Sequence, residues 1–178
     1  MFIGDKMIYR FNQPELAGEH AKLVVEVHQL QRVVETVESP EFEKIEDEVK
    51  KSLNAPGKIK ELANSENWME RFALAELLKI TPDMSEESLK EAKAAVEKLK
   101  HDPEWAVRFA LAVRRDIEPN FFKEVIAEEL KKDKDWRVVM GLLSNDNTPK
   151  EIISWIKENR KDVLEKMAIL EKMKGTDI

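Results

Sequence analysis

The sequence predicts an all-α fold, an α-solenoid of about three to four stacked helical hairpins with a helical cap at each end. Three observations carry that expectation. Charged residues make up 37% of the chain, with only five Gly and one Tyr among 178 residues, so helix formers dominate and little material is left for sheet. A pattern headed by Trp occurs three times: Trp68-Met69-Glu70-Arg71-Phe72-Ala73-Leu74-Ala75, Trp105-Ala106-Val107-Arg108-Phe109-Ala110-Leu111-Ala112, and the weaker Trp136-Arg137-Val138-Val139-Met140-Gly141-Leu142-Leu143. The copies stay in register upstream, with Leu62, Leu99 and Leu130 six residues before each Trp and Ser65, Asp102 and Asp133 three before. Finally, Pro82, Pro119 and Pro149 follow the copies at nearly constant distance, so each unit reads helix, capped turn, Trp helix, Pro-marked turn. Self-similarity at roughly 30 to 40 residues is the signature of stacked helical units, each burying its apolar face on the next.

The expected organisation is one domain over 1–178: an N-terminal arm (1–14), a helical cap (15–53), the repeats (54–158) and a C-terminal helix (159–178). Met7 to Phe11 alternates apolar and polar residues briefly, which suits a short extended arm. A long helix then runs to about Glu38 with Leu16, His20, Leu23, Val27, Leu30, Val34 and Val37 at alternating steps of four and three. That is a heptad seam, fit either to dimerise as a coiled coil or to lie on a neighbouring helix of the same chain. Val24, Val25 and Val33 widen the apolar face beyond a strict seam, so packing within the chain is expected, as is a monomer, with a dimer through this helix as the alternative.

Ser39 as N-cap with Pro40 at the first helical position starts the next helix, which runs to about Leu53, buries Phe42, Ile45, Val49 and Leu53, and shows an acidic face. Asn54-Ala55-Pro56-Gly57 breaks the chain, and a short helix with Ile59 and Leu62 leads into the first Trp copy. Trp68 and Trp105 are 37 residues apart, Trp105 and Trp136 only 31, and the extra residues fall around Pro82 to Glu87, ahead of a helix capped by Ser85. Leu89, Ala92, Val96 and Leu99 form one face of that helix; Phe121, Phe122, Val125, Ile126 and Leu130 follow Pro119, and Ile152, Ile153 and Ile156 follow Pro149. Val163, Leu164, Met167 and Leu170 read as a terminal helix, continuous with the one before it or separate. Ser65, Asp102 and Asp133 are expected as N-caps of the Trp helices, with Arg71 and Arg108 tied to a carboxylate or a helix-end carbonyl.

An acidic or hydroxylic residue, an aromatic three positions on and an Arg three further, then a Leu-Ala pair and a Pro, resembles the HEAT-like and leucine-rich-repeat-variant families of α-solenoids. The residues are Asp102, Trp105, Arg108, Leu111, Ala112 and Pro119, with Ser65, Trp68, Arg71, Leu74, Ala75, Thr81 and Pro82 matching them. Asp133, Trp136, Leu142, Leu143, Thr148 and Pro149 form the third set, over a span of 54–158. Val139 replaces the Arg there, so an Arg ladder is expected to stop at that copy. The resemblance implies a right-handed superhelix whose Arg-bearing helices line the concave side, and a binding scaffold more than any one reaction.

No phosphate-binding glycine loop, His pair at metal-ligand spacing or nucleophile elbow is present, so the expectation is a non-enzyme with no metal and no cofactor. Absence of Cys excludes a disulfide framework and Cys-based zinc sites. Residues 1–12 form no continuous apolar run, so neither a signal peptide nor a membrane span is expected, and a cytoplasmic location follows as the default. The net charge is −6, with six Lys/Arg against eleven Asp/Glu in the first fifty residues, which disfavours a phosphate backbone as partner. The partner expected is another protein. A nucleic-acid-binding module related to the alkylpurine DNA glycosylases, using Arg114, Arg115, Lys131, Lys132, Lys134 and Arg137, is the alternative. The binding surface is placed on the side of the Trp helices that the core leaves free: Met69, Glu70, Ala73, Glu76, Ala106, Ala110, Arg114, Arg137, Gly141 and Asn145.

Overall fold

The structure, a computed structural model, describes residues 21–174 and the side chains as far as residue 172. The expected arm over 1–14, together with Leu16 and His20 of the seam, lies outside the described residues. Among the described residues the secondary structure is entirely helical: α1 (Ala21–Val37), α2 (Pro40–Ser52), α3 (Lys58–Ala63), α4 (Trp68–Leu77), α5 (Glu86–Leu99), α6 (Trp105–Ala112), α7 (Pro119–Phe121), a π-helical turn (Phe122–Ala127), α8 (Glu128–Leu130), α9 (Trp136–Ser144), α10 (Lys150–Asn159) and α11 (Lys161–Lys174). No helix among them is long and apolar enough to cross a membrane.

The three Trp helices are neighbours, with α4 between α2 and α6, and α9 between α6 and α11. A second row lies against them: α3 on α4 and α5, α5 on α6, α8 on α9, and α10 on α9 and α11. Of the apolar residues at matching positions of the three copies, Phe72, Ala75, Phe109, Ala112 and Met140 are buried and Leu143 is only partly covered. Trp68 and Trp105 meet the Phe one turn on edge to face (6.1 and 6.2 Å between centroids), while Trp136 is wholly interior.

Helix starts follow local chemistry. Ser39 Oγ accepts the Phe42 amide at 3.2 Å with Pro40 next in line, and Ser85 Oγ accepts the Ser88 amide. Gly57 sits at φ +77, the left-handed conformation that lets the broken chain turn into α3. The seam on α1 is buried within the chain, with Leu23, Val27, Leu30 and Val34 at most 4% exposed, and α1 packs on α2 while reaching the start of α9. The run after Pro119 is continuous but contains the π turn, which the apolar spacing did not announce, and the last two helices are separate, broken at Arg160.

Candidate functional site

The polar side chains of the Trp units are first of all ties between neighbours. Arg71 Nε and Nη2 donate to both carboxylate oxygens of Asp102 in the next unit (2.7 and 3.2 Å), and Nη1 donates to the Ser65 carbonyl at 2.8 Å. Arg108 repeats this one unit on, with Asp133 (2.7 and 3.2 Å) and the Asp102 carbonyl (2.6 Å). Contrary to expectation the ladder does not stop where Val139 stands. Arg160 enters from the break between α10 and α11, donating to the Asp133 carbonyl at 2.7 Å and to Asp162 at 3.1 Å. The expected caps are also corrected: the residues bounding the Trp helices are Asn67, Glu104 and Asp135. Ser65, Asp102 and Asp133 lie two positions earlier and accept the amides of those residues, which leaves the Asp carboxylates turned toward the preceding Arg.

A second set of ties runs backward. Arg114, just past α6, donates to the Ala75 and Leu78 carbonyls at the end of α4 (2.8 and 2.6 Å), and Asn145 donates to the Ala112 and Arg114 carbonyls at the end of α6 (3.0 and 2.7 Å). Both satisfy helix-end acceptors that have no partner within their own helix.

This accounts for most of the surface expected to bind a partner. Ala73, Ala106, Ala110, Arg114, Arg137, Gly141 and Asn145 are buried, and only Met69, Glu70 and Glu76 stay partly open. The expectation of a free face fails because a Trp helix is covered on several sides: by its two neighbours in the row, by the second row, and, at α9, by α1. A Cβ on Gly141 would stand 3.1 Å from the Phe109 ring and 3.2 Å from Ala112 Cβ, so the missing side chain lets α9 approach α6. Arg137 is bound to Asp135, to the Glu26 carbonyl (3.0 Å) and to Gln29 Oε1 (2.8 Å), and stacks 3.8 Å from the Trp105 ring centre.

Three of the expected residues do converge. Glu76, in the last turn of α4, lies beside Arg114 and Ala110 in a cleft of 370 Å³ that also takes in Val37 and Phe72. On its other side Glu76 lines a larger cleft of 610 Å³ between the turn after α2, the end of α4 and the start of α5. Burial, then the hydrogen bond and charge of Glu46 on α2, push the Glu76 carboxyl from 4.5 up to about 8, against the pull of Arg114 and Lys50. Burial also weakens the hold of the Arg114 guanidinium on its proton, opposed by Asp116 and Glu76. Across the larger cleft, Glu91 Oε1 is buried without a hydrogen-bond partner among the described residues. The site therefore offers carboxyl acceptors over an aliphatic floor of Leu53, Ile59 and Leu77, with Lys50 and Lys79 at its edge. Among the described residues no three side chains of metal-ligating type converge on one point.

Sequence reasoning missed Lys50 and Glu91 as members of this site, and a signal for them was present only in part. The inserted residues between the first two Trp copies, Met84, Ser85 and Glu87 among them, form one wall of the cleft. Comparison with protein-family models, with curated proteins and with solved structures finds no match.

Proposed function

We propose that the chain is a small right-handed α-solenoid of HEAT-like repeats, a non-catalytic scaffold that binds another protein through the larger cleft beside Glu76. One observation carries the reading: the extra residues of the 37-residue interval, absent from the 31-residue one, stand on the rim of that cleft. In stacked-repeat proteins such insertions collect on one face, often the one that binds. The carboxyls of Glu87, Glu91 and Asp116 along this cleft suit a partner that inserts a Lys or Arg side chain. The nucleic-acid reading is supported less well, because Arg114, Lys131 and Arg137 are buried, which leaves Arg115, Lys132 and Lys134 exposed.

The test is affinity capture from the native host with nuclease-treated and untreated samples. Ser88→Arg and Glu91→Lys, each checked for folding by circular dichroism, are expected to lose the partner that the wild type and Lys157→Glu retain. Unchanged capture by both cleft variants would move the site elsewhere, and a partner lost on nuclease treatment would favour nucleic acid.

A further inference from the structure

We propose that the face of the Trp row beneath α1 is a seat for an amphipathic helix, that α1 fills it as a displaceable strap, and that a helix of another protein takes the same place. Contacts at both ends of α1 lay it across the row. Arg137, at the start of α9 and stacked on Trp105 of α6, donates to the Glu26 carbonyl (3.0 Å) and to Gln29 Oε1 (2.8 Å). At the other end Val37 shares the smaller cleft with Phe72 of α4 and with Ala110 of α6. A helix of 17 residues is about 25 Å long at a rise of about 1.5 Å per residue, enough to run from α9 over α6 to α4. Its inner stripe, Leu23, Val27 and Leu30, is at most 4% exposed and belongs to the common core, while Val25 on the outer side stays open. This is the geometry of a helix laid by its apolar face in a groove.

Three features fit α1 to leave that groove. Its close backbone neighbour is α2, joined to it through Glu38 and Ser39, whereas it meets the Trp helices through side chains. Glu26 Oε1 is closed to water yet has no hydrogen-bond partner among the described residues, so the seated helix keeps a buried acceptor unsatisfied, and lifting it returns that oxygen to water. Arg137, for its part, does not depend on α1. Its Nε and Nη2 donate to the two carboxylate oxygens of Asp135 (2.9 and 2.7 Å) and its plane lies on Trp105, so it keeps its place with Nη1 open to the next occupant.

The seated helix also specifies what replaces it. The ligand carries apolar residues at the spacing of Leu23, Val27 and Leu30, offers Arg137 Nη1 a main-chain carbonyl and a side-chain acceptor, and has a neutral residue where Glu26 stands. The inference does not depend on a partner in the larger cleft.

Fluorescence anisotropy of a labelled peptide of residues 21–38, added to the whole chain, tests it. In the wild type the peptide competes with a tethered α1 at high effective concentration; in Leu30→Asp, where α1 no longer fits, the peptide is expected to bind at least about tenfold more tightly. Arg137→Gln in the same chain is expected to weaken that binding, and Glu26→Ala in the peptide to strengthen it. A Leu30→Asp chain that is folded by circular dichroism and binds no more tightly than the wild type would overturn the proposal, as would equal binding of a peptide that itself carries Leu30→Asp. Should the Leu30→Asp chain fail to fold, hydrogen exchange of the wild type decides: α1 amides are expected to exchange at least about tenfold faster than those of α4 and α6, and equal protection would overturn the strap.

Discussion

Arg108 joins three parts of the chain through one side chain: its own helix, the Asp102 carbonyl at the start of its unit, and the Asp133 carboxylate of the next. A guanidinium suits this place because its fork matches a carboxylate with two parallel bonds and leaves a third donor for the carbonyl. Both partners are nearly closed to water, with side chains 11% and 7% exposed, so breaking the pair leaves an uncompensated buried charge. Arg108→Ala is expected to lower stability by about 3–5 kcal/mol in urea denaturation, and Arg108→Lys to recover only part of it. A loss within the error of the extrapolation would mean that the rung contributes nothing to holding the units together. Arg160 shows that the position in space matters more than the position in the sequence pattern, since it fills the third rung from outside the pattern.

α6 is held from both ends, by the Asp102 carboxylate at its start and by Asn145 at its finish, and apolar contacts close the space to its neighbours. Gly141 sets the spacing of α6 and α9, and Gly141→Leu is expected to cost about 1–3 kcal/mol through overpacking against Phe109 and Ala112. An unchanged or raised melting temperature would show that the helices are not in close contact there. Helix positions were legible in the sequence because Trp, Leu and Pro recur in register, and the α1 seam was legible from its four-and-three spacing, whereas of the three Val expected to widen it only Val33 is buried and Val25 is 54% exposed. The caps were read two residues early, since Asp102 and Asp133 have the chemistry of a cap and spend it on the preceding Arg and on a loop amide. The small residues Ala73, Ala110 and Gly141 were ambiguous for a different reason: periodicity tells which residues share a face but not what covers it. The Glu46–Glu76 contact was invisible because thirty residues separate its members and nothing in either segment marks the other.

Taken whole, the described residues place several of their paired charges between helices and include an acceptor-rich cleft at the edge of the first Trp helix, bounded by the turn after α2 and by the inserted residues before α5. Binding there would use a surface whose α4 side is tied to α6 by Arg71 and Arg114, and whose other walls are the turn after α2 and the start of α5. The central claim is that this cleft is where a partner protein sits. Backbone amide shifts followed by NMR while the captured partner is added to the isotope-labelled chain test it most directly. The account predicts that the largest changes fall at Lys50, Asn54, Glu76, Ser88 and Glu91, and that Glu91→Lys abolishes them. Changes confined to the opposite side, around Lys132 to Asp135, with the cleft signals unmoved, would contradict it.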